Sequence, residues 1–232
     1  MEPLSNRPYV LLSCASSIDG YIDDTSDERL LLSNDEDFDR VDHVRSTCDA
    51  ILVGANTIRA DNPRLLVRSQ ARRDDRISRG LPASPTKVTV TARGDLDPEA
   101  NFFVAGDTTK IVYTASSALD KTREAVGSVA DVVEAGEPVD FSQVLTDLAE
   151  RGIRKLMIEG GASMHTAFLT AGLADELHLV VAPFFVGDSR APRFVTDGAF
   201  PWNKDHRARL HSETQIRDVV LLRYALSERF EN

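Results

Sequence analysis

Ala50-Ile51-Leu52-Val53-Gly54-Ala55-Asn56-Thr57-Ile58-Arg59-Ala60-Asp61-Asn62-Pro63-Arg64-Leu65 is the stretch on which the reading of this chain turns. Its first four residues are wholly apolar, as a strand buried on both faces of a parallel sheet must be. Gly54 breaks the run. Asn56, Thr57, Arg59, Asp61, Asn62, Arg64 and, further on, Arg68 then make a polar segment that reads as a loop. A buried strand that gives way abruptly to polar groups is how an open α/β sheet builds a ligand site. Solubility alone also demands polarity of a surface turn stopped by Pro63, so composition leaves both readings open.

Outward from this strand, apolar periodicity alternates between strand and helix. Tyr9, Val10, Leu11 and Leu12 predict a strand over 7–13. Ser33 and Glu36 have capping-box spacing, with Ser33 at the N-cap, and predict a helix to about Cys48 with Phe38, Val41 and Val44 near one face. Residues 69–86, rich in Arg, Asp, Ser, Gly and Pro, read as an exposed loop. Strands are expected over 87–91, 110–114, 130–133, 155–158 and 176–182. Helices are expected over 117–126, 141–151 and 162–171, the last closed by Gly172. Segments 208–217 and 219–226 read as an antiparallel pair. The expected fold is α/β in one domain, 1–232, with a mainly parallel central sheet, helices on both faces and an antiparallel C-terminal hairpin.

The chain has 232 residues, 42% of them hydrophobic, and a formal net charge of −10. That charge argues against nucleic-acid binding, yet a few local arginines can still hold a phosphate. Cys14 and Cys48 form no C-x-x-C pair and read as reduced core residues. The polar start, without an apolar leader, and the lack of any membrane-length apolar stretch lead to an expected cytoplasmic location. The five histidines have no metal-ligand spacing, and no metal is expected. Neither a G-x-S-x-G elbow nor a P-loop occurs. Trp202, beside Phe200 and Pro201, reads as packing, with a lid as the alternative.

Three further motifs carry chemistry. Ile158-Glu159-Gly160-Gly161 sits where a strand enters a helix, and glycines there let a ligand approach the backbone N–H groups of the helix start. Ala15-Ser16-Ser17-Ile18-Asp19-Gly20 ends the first strand in a turn, in which Asp19 and Gly20 are expected to shape the backbone. Arg45 lies in the helix that precedes the Ala50 strand, where a solvated position is the usual fate of an arginine.

Together these residues resemble the reductase domain of bacterial riboflavin biosynthesis proteins. That family's pattern A-I-L-V-G-x-x-T-x-x-x-D-[DN]-P-x-L-x-x-R is filled from Ala50 to Arg68. The V-E-G-G turn is similar to 158–161, the S-x-D-G element to 17–20, and A-G-L-x-D-E-L and A-P to 171–177 and 182–183. The resemblance covers about 8–226. It implies a dihydrofolate-reductase-like fold, a homodimer, and NADPH-dependent reduction of a ribosylamino-pyrimidinone 5′-phosphate to its ribitylamino form. It implies cofactor contacts at Ala15, Thr57, Asp61, Gly160, Gly161, Ala162, Ser163 and Met164. It places Arg45, Leu65, Arg68 and Glu159 on the substrate, with Arg45 and Arg68 as a two-arginine phosphate site. Asp61 and Glu159 are the catalytic candidates, Asp61 for proton movement and Glu159 for orienting the substrate.

Two departures fall on the substrate side. Ser13 stands where the family often carries a lysine, and Arg29-Leu30-Leu31-Leu32-Ser33 stands for S-x-W-I-T. Arg29 is a candidate to restore the charge lost at Ser13. Many relatives fuse a deaminase to the reductase. The H-x-E…P-C-x-x-C signature of that zinc enzyme is absent here, so the chain corresponds to the reductase part alone. Two alternatives remain: a same-fold reductase of a folate or pterin-like substrate, and a non-catalytic NADPH-binding sensor. Arg93, after the 87–91 strand, is a candidate for the 2′-phosphate, although a surface position suits it equally.

Overall fold

The computed structural model describes residues 7–26, 28 and 30–230. Arg29 therefore lies outside the described residues. The chain divides into two compact units, one built mostly from Asp42–Met157 and the other from Tyr9–Val41 and Ile158 onward.

In the first unit, strands β2 (Ala50–Gly54), β3 (Thr86–Thr91), β4 (Lys110–Thr114) and β5 (Asp131–Glu134) are all parallel, in the order β5-β4-β3-β2. Every residue of β2 is buried, which accounts for its unbroken apolar run. Helices α2 (Ala55–Asp61), α3 (Gln70–Ser78), α4 (Asn101–Val104) and α5 (Leu119–Val126) connect these strands, and α6 (Phe141–Glu150) follows β5. Asp140 caps α6 through the N–H groups of Ser142 and Gln143. Val144, Leu145 and Leu148 are the buried stripe of that helix, as the i, i+3, i+4 spacing requires.

The 69–86 segment corrects the expectation of an exposed loop. Ser69 accepts the Arg72 N–H and starts α3. Arg76, 1% exposed, donates to the carbonyls of Ser46, Cys48 and Pro82. One guanidinium thereby satisfies carbonyls at and just past Ser46, where an earlier helix ends, that would otherwise be buried unpaired. Lys87 works similarly: its ammonium donates to the Phe102 and Ala105 carbonyls at 2.9 and 2.6 Å, and burial pushes it down to about 8.

In the second unit, β1 (Tyr9–Ser17) and β7 (Glu176–Ala182) are parallel, while β9 (Val219–Ala225) runs antiparallel to β7 and to β8 (Arg209–Ile216). The order is β1-β7-β9-β8, and β8–β9 is the expected hairpin. Strand β6 (Lys155–Gly160) and helix α1 (Asp35–Ser46) carry the chain from one unit to the other, and α7 (Ala162–Thr170) follows β6. The cap of α1 is shifted by one residue from expectation. Asn34 accepts the Asp37 N–H at 3.1 Å, while Ser33 donates to the Asp37 carboxylate and Glu36 pairs with Arg217. A side-chain amide in the N-cap position outcompetes its serine neighbour because the Asp37 carboxylate has already engaged the serine hydroxyl.

Behind β7 lies a buried polar network. Glu176 accepts from the Tyr9 hydroxyl, from the Arg223 guanidinium at 2.6 Å and from His178 at 2.7 Å, and Arg40 reaches the other nitrogen of His178. Burial alone would raise the Glu176 carboxyl, but the bonds from His178 and Arg223 outweigh it and hold the group at about 2. No helix among the described residues is long and apolar enough to cross a membrane.

Candidate functional site

The polar segment after β2 is a helix rather than a loop. Helix α2 begins directly at Ala55 and ends at Asn62, which takes a left-handed φ of 43° and returns its N–H to the Ile58 carbonyl. Buried Ala55 and Ile58 hold one side of α2 against the unit. Thr57 and Asp61 are four residues apart and therefore share one face. Thr57 is half-buried and Asp61 exposed. The Asn62 side chain and carbonyl take both donors of Asn101, which fixes the chain after the helix. Leu65 also has a positive φ, 49°, and its side chain is buried. It anchors the segment that leads to Arg68.

Asp42 and Arg45, one turn apart on α1, grip that segment. The Asp42 carboxylate accepts the N–H of Arg68 at 2.5 Å, the N–H of Ser69 at 3.1 Å and the Arg72 guanidinium at 2.9 Å. Arg45 donates to the Leu66 carbonyl. Burial opposes ionisation of Asp42, but the Arg68 N–H, Arg72 and the Ser69 N–H more than offset it and leave its pKa lowered. The backbone of Arg68 is thus clamped while its side chain is 60% exposed. The two expected phosphate arginines are brought to one short stretch of chain, on a rigid support. Arg93, by contrast, is an exposed arginine facing Asp95 at 3.5 Å.

In the second unit, β1 and β7 end level with each other, Ser17 opposite Ala182. Asp19 ties their following turns together. Its carboxylate accepts the Ser17 hydroxyl at 2.6 Å and the N–H groups of Val186 and Gly187 at 3.1 and 2.8 Å. Those bonds, Ser17 first, pull its carboxyl below the usual range. Asp19 is committed to backbone geometry, and Gly20 supplies the positive φ the turn needs. Ala15 packs against the Val180, Val219 and Leu221 cluster. Ser13, at the family's lysine position, is buried, and Leu31 is exposed.

The Glu159–Met164 segment joins β6 to α7. Glu159 is half-buried at the end of the strand. Gly160 has φ +133°, a conformation L side chains rarely adopt. Gly161 is the N-cap of α7, and no side chain caps this helix. The N–H groups of Met164 and His165 turn back to the Gly161 carbonyl. Those of Ala162 and Ser163 lie outside the intrahelical bonds, and the first turn carries no acid. Uncapped donors at the positive end of a helix suit an anion. No histidine spacing in the sequence singles out His165. Its imidazole is buried one turn into α7, with its ring 5.1 Å from that of Phe194. Thr166, further along α7, accepts the Thr196 N–H. Among the described residues no cluster of His, Cys, Asp and Glu could hold a metal ion.

A parallel α/β sheet with an antiparallel C-terminal hairpin, carrying a glycine turn into an uncapped helix and an arginine-bearing segment after a buried strand, defines the dihydrofolate-reductase-like class of fold. The chain belongs to the RibD C-terminal domain family, whose model matches residues 8–222. It is 36% identical over 193 residues to 2,5-diamino-6-ribosylamino-4(3H)-pyrimidinone 5′-phosphate reductase of Archaeoglobus fulgidus, covering 83% of this chain and 87% of that protein. The protein of the same name from Methanothermobacter thermautotrophicus is 37% identical over 194 residues, 83% and 85% of the two chains. A pyrimidine reductase-like protein from Corynebacterium diphtheriae shares the fold, with a TM-score of 0.80 at 23% identity over 96% of this chain and 94% of that one.

Proposed function

We propose that this protein is an NADPH-dependent reductase that converts a ribosylamino-pyrimidinone 5′-phosphate to its ribitylamino form in riboflavin synthesis. The observation that carries the reading is the similarity, along most of the chain, to relatives named for that reduction. The geometry supports it in each unit separately. In the second unit, the uncapped start of α7 and the glycine backbone before it suit the anionic bridge of a dinucleotide. Ala15 and Gly160–Met164 are the residues assigned to hold it.

In the first unit, Arg45 and Arg68 offer forked donors for the 5′-phosphate. Asp42 holds the Arg68 backbone in place, so less freedom is lost when the phosphate binds. Thr57 and Asp61 present one polar helix face, with Asp61 as the group assigned to move a proton; Glu159, which belongs to the second unit, is assigned to orient the substrate. Bound NADPH would supply the hydride; the tasks of the chain are orientation and electrostatics.

The test is NADPH oxidation followed at 340 nm with the deaminated and the undeaminated ribosylamino-pyrimidine phosphates side by side. Turnover on either supports the reading. NADPH binding without turnover on either, but with turnover on dihydrofolate, would replace it by a folate reductase. Arg68→Ala should raise KM for the phosphorylated substrate far more than it lowers kcat, and Asp61→Asn should lower kcat. An Asp61→Asn enzyme at full turnover would remove Asp61 from the chemistry.

A further inference from the structure

His165 presents a buried polar atom with nothing to bond. Its side chain is 1% exposed, and Nδ1 has no hydrogen-bond partner, a state shared among the described residues only by the Thr89 hydroxyl. Folded proteins seldom leave such an atom orphaned, because desolvation without a replacement bond costs about 1–3 kcal/mol. The imidazole is also placed where a ligand is expected. Its Nε2 edge lies 3.8 Å from where a β-carbon on Gly160 would stand. It sits on the helix whose first N–H groups are uncapped. Burial pushes the imidazole down to about 4, so near neutral pH it is uncharged, with one nitrogen donating and the other accepting.

We propose that His165 is a positioning residue for the dinucleotide: its Nε2 edge, which faces Gly160, bonds the anionic bridge of the cofactor, or a water held by that bridge, when the bridge seats on the Gly160–Met164 turn. This rests on the reading of that turn as the cofactor cradle. A neutral imidazole is suited to the task. It adds a directional donor beneath the turn without adding a buried charge that must be neutralised when the site is empty of anion.

The experiment compares wild type, His165→Leu and His165→Gln by fluorescence titration with NADPH and by urea unfolding of the apo proteins. His165→Leu should weaken NADPH by about tenfold, the worth of one ordinary hydrogen bond, without lowering apo stability, since it removes an unsatisfied group. His165→Gln, which keeps a polar atom near the Nε2 position, should recover most of the affinity. In wild type, the 15N resonances of His165 should shift when NADPH is added. Wild-type affinity in His165→Leu, or His165 resonances that stay put at saturating NADPH, overturns the proposal even if His165→Leu proves unstable. Failure of wild type to bind NADPH would instead bring down the cofactor reading itself, and this role with it.

Discussion

Acid should destabilise this protein above pH 5 in part through one buried histidine. In the unfolded chain the His165 imidazole titrates near 6.5, and in the folded chain at about 4. Between those values the unfolded state holds a proton that the folded state excludes, so stability is full above pH 6.5 and falls as the pH drops toward 4. The slope reaches about 1.4 kcal/mol per pH unit. Integrated from pH 7 to pH 5, it amounts to about 2 kcal/mol, a large share of the 5–15 kcal/mol typical of a folded domain. The cause is desolvation alone, and Phe194 and Gly160 beside the ring bring no charge. Urea unfolding of wild type and His165→Leu at pH 7 and pH 5 measures the effect. His178 and the carboxylates are common to both proteins and cancel in the difference. Wild type should lose about 2 kcal/mol more than the variant. Parallel losses in the two proteins would refute the reasoning.

Other perturbations test other parts of the structure. Glu176, held at about 2, contributes stability that is complete above pH 4.5 and is lost as the pH falls toward 2. Glu176→Gln should therefore flatten that limb of an acid titration followed by circular dichroism, and an unchanged limb would show that the network contributes nothing. Asp42→Asn leaves Arg72 without its carboxylate and weakens the bonds to the Arg68 and Ser69 N–H groups. It should cost about 2 kcal/mol in urea and raise KM for the phosphorylated substrate, because Arg68 loses its support. A stable Asp42→Asn protein with an unaltered KM would show that the Asp42 clamp supports neither the fold nor Arg68. Gly160→Ala places a β-carbon on a backbone at φ +133° and should destabilise by about 1–3 kcal/mol. Calorimetry showing no change in Tm would mean that the turn has another conformation.

Local pattern sufficed for much of this protein. The apolar run of β2, the alternation in β3 and β4, the stripe of α6 and the hairpin of β8 and β9 were legible because each period reports burial of one face or both. Legible too were the order of the motifs and the family they belong to, since spacing along the chain needs no coordinates. The sequence did not disclose that Ala55–Asp61 and Gln70–Ser78 are helices. Their composition is polar enough for loops, and what makes them helical is remote: the clamp of Asp42 on Arg68, Ser69 and Arg72, the grip of Arg76 on the carbonyls of Ser46 and Cys48, and the hold of Asn101 on Asn62. Asp19 read as a turn former, but only tertiary structure joins its turn to the one after β7. His165 carries no sequence signal, because its character comes from what is absent around it. Periodicity encodes which face is buried, whereas a hydrogen bond made or left unmade between residues far apart in the chain is decided only when the backbone brings them together.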